Sequence, residues 1–136
     1  MLVRFSSLTI MSAALSIIPA LAHHSHGNYE DLSKWTTMQG TVKEVHWLVP
    51  HSWIYLDVKD AKGEVTTWAL EAAGRMAIES VGVKREDVKP GDTITVRCHK
   101  LRDGANGCLL GFVTPTHGDV ARGNGVEKDW DGGGGR

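Results

Sequence analysis

The chain has 136 residues, a formal net charge of −1 and a hydrophobic fraction of 41%. This length fits one domain with a small hydrophobic core. A nearly neutral chain lacks the clustered Lys and Arg that bind nucleic acid, so the composition argues against a nucleic-acid-binding protein.

Residues 1–22 have the pattern of a signal peptide. Arg4 is its single charge, an apolar stretch follows, and Ala20 and Ala22 form a small-x-small cleavage site. A membrane anchor is the alternative, but the apolar stretch is near the lower limit for a spanning helix and ends in small residues rather than basic ones. We therefore predict export to the periplasm, a mature chain that begins at His23, and no stable membrane anchor.

Residues 23–35, which we call the N-terminal segment, begin with a group of histidines. His23, His24 and His26 lie within four positions of one another. If His23 is the free N-terminus, its amine and its imidazole can chelate a single ion, and nitrogen ligands in a plane suit Cu(II). The pattern therefore predicts a copper site as one function of this segment.

Such a copper site needs a further histidine from the folded domain. Ser25 occupies the third mature position, where the common X-X-His copper motif has its histidine. The domain offers four candidates, His46, His51, His99 and His117, and we favour His51. The other interpretation is a soluble leader, because His-rich exported termini also bind metals adventitiously.

Residues 36–120 have the pattern of an all-β domain. Strands are predicted at 36–48, 52–60, 64–73, 88–101 and 108–115, and a short helix at 74–82. Three strands, a helix and two strands form the order of an OB-fold, a five-stranded small barrel. An immunoglobulin-like sandwich needs about seven strands, for which the chain has no room. We therefore predict an OB-like β-barrel.

The last segment, residues 121–136, is rich in glycine. Its only large apolar side chains are Val126 and Trp130. Because so few apolar groups give little burial to offset the entropy of ordering, we predict a disordered tail.

Several motifs occur in a specific order along the chain. They are HHS at the predicted mature N-terminus, GTVKEVHW, PHSWIYLDV, KPGD and LRDG. In this set the chain resembles a family of small exported Gram-negative proteins classed as a domain of unknown function, over residues 23–120. That family often has Asn at position 49 and apolar or small residues at positions 98 and 108. The resemblance implies export and the same fold, and it implies no activity.

Cys98 and Cys108 lie on consecutive predicted strands in a chain that we expect to enter an oxidising compartment, so a disulfide is one interpretation. A turn centred near residues 104–105 places Cys98 opposite Gly111 or Phe112, so a bridge requires a bulge or a shifted register. Two buried thiols are the alternative. A metal-thiolate site with His99 is a third, although adjacent strand residues point to opposite sides.

The second predicted strand places several polar and aromatic residues on one side. If Ile54, Leu56 and Val58 point inward, the outward residues are His51, Trp53, Tyr55 and Asp57. OB-folds bind ligands across their second and third strands, and this outward strip can stack on a sugar or an aromatic ligand. The alternative is that the N-terminal segment or the tail covers Trp53 and Tyr55.

The sequence contains little that indicates catalysis. Ser52 follows His51 directly, and adjacent strand residues project to opposite faces, so they are no nucleophile and base. The sequence also lacks a phosphate-binding loop, an H-E-x-x-H motif and a C-x-x-C pair. We therefore predict a protein without enzymatic activity that binds a small molecule or an envelope protein, with copper binding as the alternative.

Overall fold

A computed structural model describes residues 26–133. Its strands are β1 (Thr36–His46), β2 (Trp53–Lys59), β3 (Val65–Glu71), β4 (Thr93–Lys100), β5 (Gly107–Pro115) and β6 (Lys128–Asp129). One α-helix, α1 (Arg75–Ser80), and three short 3-10 helices, His26–Asn28, Arg85–Asp87 and Val120–Arg122, complete the described elements. In this part of the chain, no helix is long and apolar enough to cross a membrane. The predicted signal peptide, His23 and His24 lie outside the described residues.

The first five strands close into a barrel. β1 pairs antiparallel with both β2 and β4, β2 pairs with β3, and β4 pairs with β5. A parallel pairing between β3 and β5 closes the circle, and α1 lies between β3 and β4 in the chain. This confirms the predicted OB-like barrel of five strands with one short helix.

β1 bends so that it can pair on both sides. Its register with β2 shifts between Val42 and Glu44, which is where a bulge bends a strand. Gly40 also has no room for a side chain, because a Cβ there would meet the carbonyl of Asp57 and the side chain of Leu56. The bend and the close approach bring β1 tightly over β2.

The core follows the alternation of the strands. Ile54 and Leu56 on β2 are completely buried, as predicted, while Val58 is only half-buried. Ile78 of α1 joins the same core, so the helix packs against the barrel. The other fully buried large side chains are Val42, Leu70, Val88, Ile94, Val96, Leu110, Val113 and Trp130.

Cys98 and Cys108 form a disulfide, with Cα atoms 5.7 Å apart. The register of β4 with β5 shifts between Arg97 and Cys98, so Cys98 faces Leu110 and Lys100 faces Cys108. The bulge that a bridge required is therefore present, and the predicted pairing of Cys98 with Gly111 or Phe112 is wrong because the bulge moves the register. Residues 26–133 contain no free cysteine, so the structure has neither two buried thiols nor a metal-thiolate site with His99.

The predicted disorder after residue 120 is wrong for residues 121–133. β6 pairs with β5, and Trp130 is only 1% exposed and stacks on Trp47 with ring centroids 5.2 Å apart. The backbone N–H of Trp130 donates to the Gly111 carbonyl, and the Trp130 carbonyl accepts from the Ala73 N–H. Burial of one indole gives the segment the apolar contact that its composition lacks elsewhere.

Two partly buried ion pairs hold the same segment, beside an exposed pair between Arg97 and Glu127. Lys128 Nζ lies 2.6 Å from Asp87 Oδ2, and the Arg122 guanidinium binds both carboxylate oxygens of Asp92. Asp87 is 4% exposed, so the first pair is largely removed from water. We call residues 120–133 the docked tail.

Candidate functional site

The outward side chains of the first three strands form one continuous surface, which we call the β1–β3 face. Cross-strand pairing arranges it in rows of three: His46, Trp53 and Glu71; then Glu44, Tyr55 and Ala69; then Thr41, Asp57 and Thr67. The inward neighbours Ile54 and Leu56 are buried, which fixes the outward direction of Trp53 and Tyr55. The predicted outward direction of Trp53 and Tyr55 agrees with this burial pattern.

The aromatic rings of this face remain partly accessible. Trp53 and Tyr55 are both half-buried. The His46 ring lies 5.2 Å from the Tyr55 ring, and its Nε2 lies 2.8 Å from Glu44 Oε2. The face therefore presents two partly accessible aromatic rings, and His46 of β1 packs beside that of Tyr55.

Glu71 contacts both Tyr29 of the N-terminal segment and His51 before β2. One of its carboxylate oxygens accepts a hydrogen bond from the Tyr29 hydroxyl, and the other lies 3.3 Å from His51 Nδ1. Burial, and then the hydrogen bond to Glu71 and its charge, raise the pKa of Tyr29 well above its usual value. Tyr29 is therefore a protonated donor at neutral pH, and it ties the N-terminal segment to β3.

The backbone holds the N-terminal segment in this position. Tyr29 forms a bridge with Leu101, Glu30 N donates to the Lys100 carbonyl at 2.7 Å, and Arg102 N donates to the Asn28 carbonyl at 2.9 Å. The segment that leads back to the predicted N-terminal histidines thus runs beside the β1–β3 face.

His51 has an oriented ring. Nδ1 lies 3.2 Å from the Ala72 carbonyl, and because a carbonyl oxygen only accepts, Nδ1 is the nitrogen that carries the proton. Glu71 Oε1 lies 3.3 Å from the same nitrogen, so two acceptors orient the ring. An imidazole whose other nitrogen bonds a carbonyl or carboxylate is the usual arrangement of a metal-ligating histidine.

The remaining candidate histidines have different surroundings. His99 is 4% exposed, donates through Nδ1 to the Lys34 carbonyl at 2.6 Å and stacks on Trp35. His117 donates through Nε2 to the Asp87 carbonyl and accepts the Asp119 N–H at Nδ1. Both therefore have structural roles, and His46 and His51 are the two on the β1–β3 face.

A polar groove continues the face beyond Tyr55. It has a volume of about 450 Å³ and is lined by Gln39, Thr41, Asp57, Lys59, Val65 and Thr93. Thr67 donates its hydroxyl hydrogen to Asp57. Within residues 26–133, no ion pair of Lys59 and no side-chain hydrogen bond of Gln39 is formed. The groove thus offers an amide and an ammonium group to a ligand.

Ser52 is completely buried, and its hydroxyl bonds the backbone of Leu48 as donor and as acceptor. It therefore fixes the loop before β2 and does not pair with His51.

The contribution of Glu71 and Tyr29 was missed by the sequence analysis, since no short-range spacing joins residues 42 positions apart.

Only part of the metal site predicted from the N-terminal histidines lies within the described residues. His23 and His24 lie outside them, and of His26 only the backbone, in the first 3-10 helix, is described. In the described part, no three His, Cys, Asp or Glu side chains are arranged to hold a metal ion.

Comparison with known proteins identifies a family. No curated protein and no solved structure matches the chain. The model of a family of unknown function, DUF6152, matches residues 10–110, which is most of the sequence. The chain therefore belongs to this family of unknown function.

Proposed function

We propose that the protein is an exported, non-enzymatic binding module whose β1–β3 face binds a small molecule. The observation that carries this proposal is the pair of half-buried rings, Trp53 and Tyr55, on a sheet face that the docked tail leaves uncovered. The tail packs on β5 and Trp47 instead. Partly exposed aromatic rings held by a rigid sheet bind ligands at low entropic cost.

The test uses the protein purified after expression of the full chain and labelled with ¹⁵N. Maltohexaose, chitohexaose and 2-naphthol are titrated separately while amide resonances are recorded. We expect at least one probe to shift resonances on β1, β2 and β3, and Trp53→Ala and Tyr55→Ala to abolish these shifts. Val120→Ala is the matched control, because Val120 is 81% exposed and lies in the docked tail. Shifts confined to other surfaces, or none with any probe, contradict the proposal.

A second candidate is Cu(II) binding by His23, His24 or His26 together with His51. The observation that favours it is Glu71, which bonds Tyr29 and also lies beside the His51 ring. His23 precedes Tyr29 by six residues, a distance of about 20 Å in an extended chain. Six residues of chain are long enough for the N-terminal nitrogens and the His51 imidazole to bind one ion, and an oriented imidazole raises affinity through preorganisation.

Calorimetric titration with Cu(II) tests this candidate. The natural protein is compared with a form that has one Ala inserted before His23, which separates the amine from the first imidazole. His51→Ala is the second variant, and His46→Ala is its control on the same face. We expect about tenfold weaker binding for the insertion and for His51→Ala. Equal, weak binding by all forms contradicts a defined site and leaves the histidines as a leader.

A further inference from the structure

We infer that the ligand of the β1–β3 face is a neutral oligosaccharide, with sugar rings stacked on Trp53 and Tyr55 and hydroxyl groups bound in the polar groove. This inference rests on the proposed function, because it names the class of ligand that the same face binds. Its separate support is the groove, which adds hydrogen-bonding groups to the aromatic rows.

The two halves of the surface match the two sides of a sugar. The C–H groups on one side of a sugar ring are apolar and slightly positive, so they pack against the negative face of an aromatic ring. Its hydroxyl groups both donate and accept, and they need partners of both kinds. Lys59 supplies donors, Asp57 supplies acceptors, and the amide of Gln39 supplies both.

The size of the groove also fits a part of such a ligand. Its volume of about 450 Å³ lies in the range of small-molecule sites. The outward residues from Trp53 to Lys59 lie on one strand, and at about 3.4 Å per residue they extend over about 20 Å. That length accommodates several sugar rings in a row, which favours a chain of sugars over a single one.

The lining of the groove argues against a flat aromatic ligand. Val65 is its only apolar side chain, and Gln39, Thr41, Asp57, Lys59 and Thr93 are polar. A flat aromatic compound such as 2-naphthol has at most one hydroxyl group to replace the water on these side chains, so it would leave hydrogen bonds unmade there. Such a compound would occupy only the rows of Trp53 and Tyr55.

Charge argues against anionic polymers. Glu44, Asp57 and Glu71 all lie on the β1–β3 face, and Lys59 is the fixed positive charge in the groove. Phosphates or uronates laid along this surface would meet three carboxylates, and like charges are repelled. A nucleic acid is excluded for the same reason, although other OB-folds bind it.

The experiment measures dissociation constants by calorimetry for maltohexaose, cellohexaose, chitohexaose, hexagalacturonic acid and 2-naphthol. We expect one of the neutral hexaoses to bind more tightly than hexagalacturonic acid and more tightly than its own monosaccharide. Gln39→Ala and Lys59→Ala should each weaken that binding about fivefold, equivalent to one lost hydrogen bond. Trp53→Ala should weaken it more, and Val120→Ala should leave it unchanged.

The outcomes separate this inference from the proposed function. Binding of 2-naphthol at Trp53 without binding of any hexaose overturns the inference and leaves the proposed function in place. Hexaose binding that Gln39→Ala and Lys59→Ala do not change overturns the role of the groove. Tighter binding of hexagalacturonic acid overturns the neutral class, and absence of binding by every probe overturns both proposals. Urea unfolding of each variant identifies any loss that comes from a destabilised fold.

Discussion

The docked tail and the β1–β3 face are two surfaces of one barrel that use similar residues in different ways. Each has a tryptophan, but Trp130 is 1% exposed and Trp53 is half-buried. Each has a lysine near an aspartate, but Lys128 binds Asp87 at 2.6 Å, whereas Lys59 forms no ion pair within residues 26–133. Where polar and aromatic groups are paired within the chain they stabilise it, and where they stay accessible they can bind another molecule.

The sharpest test of this difference removes one tryptophan from each surface. Trp130→Ala should lower the free energy of unfolding by about 4 kcal/mol, since it empties a completely buried site against Trp47. Trp53→Ala should lower it by about 1 kcal/mol, because that ring already contacts water. Urea unfolding followed by circular dichroism measures both. Equal losses would contradict the division of the molecule into a stabilising and a binding surface.

The disulfide lies on the stabilising side of the comparison. Reduction of Cys98–Cys108 opens a loop with a sequence separation of 10 and should cost about 3 kcal/mol through the entropy of the unfolded chain. Urea unfolding with and without a reductant measures this loss, and a Cys98→Ala/Cys108→Ala variant should show no further response to the reductant. The β1–β3 face should keep its ligand affinity in the reduced protein below the unfolding transition. A lost affinity would mean that the two surfaces depend on each other.

The ion pairs of the tail allow a comparison between a buried pair and an exposed one. Lys128→Ala leaves Asp87 buried without its cation and should cost about 2 kcal/mol. Glu127→Ala breaks the pair with Arg97, whose side chains are 36% and 43% exposed, and should cost less than about 1 kcal/mol. Both values come from urea unfolding. The reverse order would show that burial does not decide what these pairs contribute.

Alternation and strand order were sufficient to predict the barrel from the sequence. Ile54 and Leu56 alternate with Trp53, Tyr55 and Asp57, and the turns carry Gly or Pro, so local pattern and global fold agree. The outward direction of Trp53 and Tyr55 followed from the same alternation. The tail did not follow from composition, because a single residue, Trp130, supplies its burial.

The contacts that the sequence did not predict join residues that lie far apart in the chain. Tyr29 and Glu71 meet because the segment before β1 runs back along the end of β4, and the register of Cys98 depends on a bulge. Neither a bridge between distant segments nor a bulge has a short-range sequence signal here. Packing decides both of them, and packing is a property of the whole fold.

Asp92→Asn should lower the free energy of unfolding less than Lys128→Ala does. The Asp92 side chain is more exposed than that of Asp87. Burial raises the pKa of Asp92, but hydrogen bonds from Arg122 and from the Lys89 N–H outweigh it, so the pKa lies below its usual value. A lowered pKa in the folded state stabilises the protein above the ordinary pKa, about 3.9, and this stabilisation is lost as pH falls through the folded value. Asp92→Asn should therefore be less stable than the natural protein at pH 7 and equally stable at the acid end. A difference that does not change with pH would contradict this ion pair as its cause.

The smallest effect concerns Tyr29, which lies between the N-terminal segment and the β1–β3 face. Tyr29→Phe removes one hydrogen bond to Glu71 and should cost about 1 kcal/mol or less, together with faster amide exchange at Glu30 and Arg102. Tyr55→Phe is the matched control, since in the described residues no hydrogen bond of the Tyr55 hydroxyl is formed, and it should change neither quantity.

The raised pKa of Tyr29 predicts the direction in which its contribution to stability changes with pH. Burial and the hydrogen bond to Glu71 raise the pKa of Tyr29, so its contribution is complete below the ordinary tyrosine pKa of about 10 and is lost as pH rises through the folded value. Tyrosine absorbance of the Tyr55→Phe variant reports Tyr29 alone, because the chain has 2 tyrosines. We expect its titration to begin above the usual range, and Glu71→Gln to move it back down because the neutral amide removes the repulsion that opposes a phenolate. Titration of Tyr29 in the usual range would mean that the N-terminal segment is not held against β3, and copper binding through His51 would then lose its structural support.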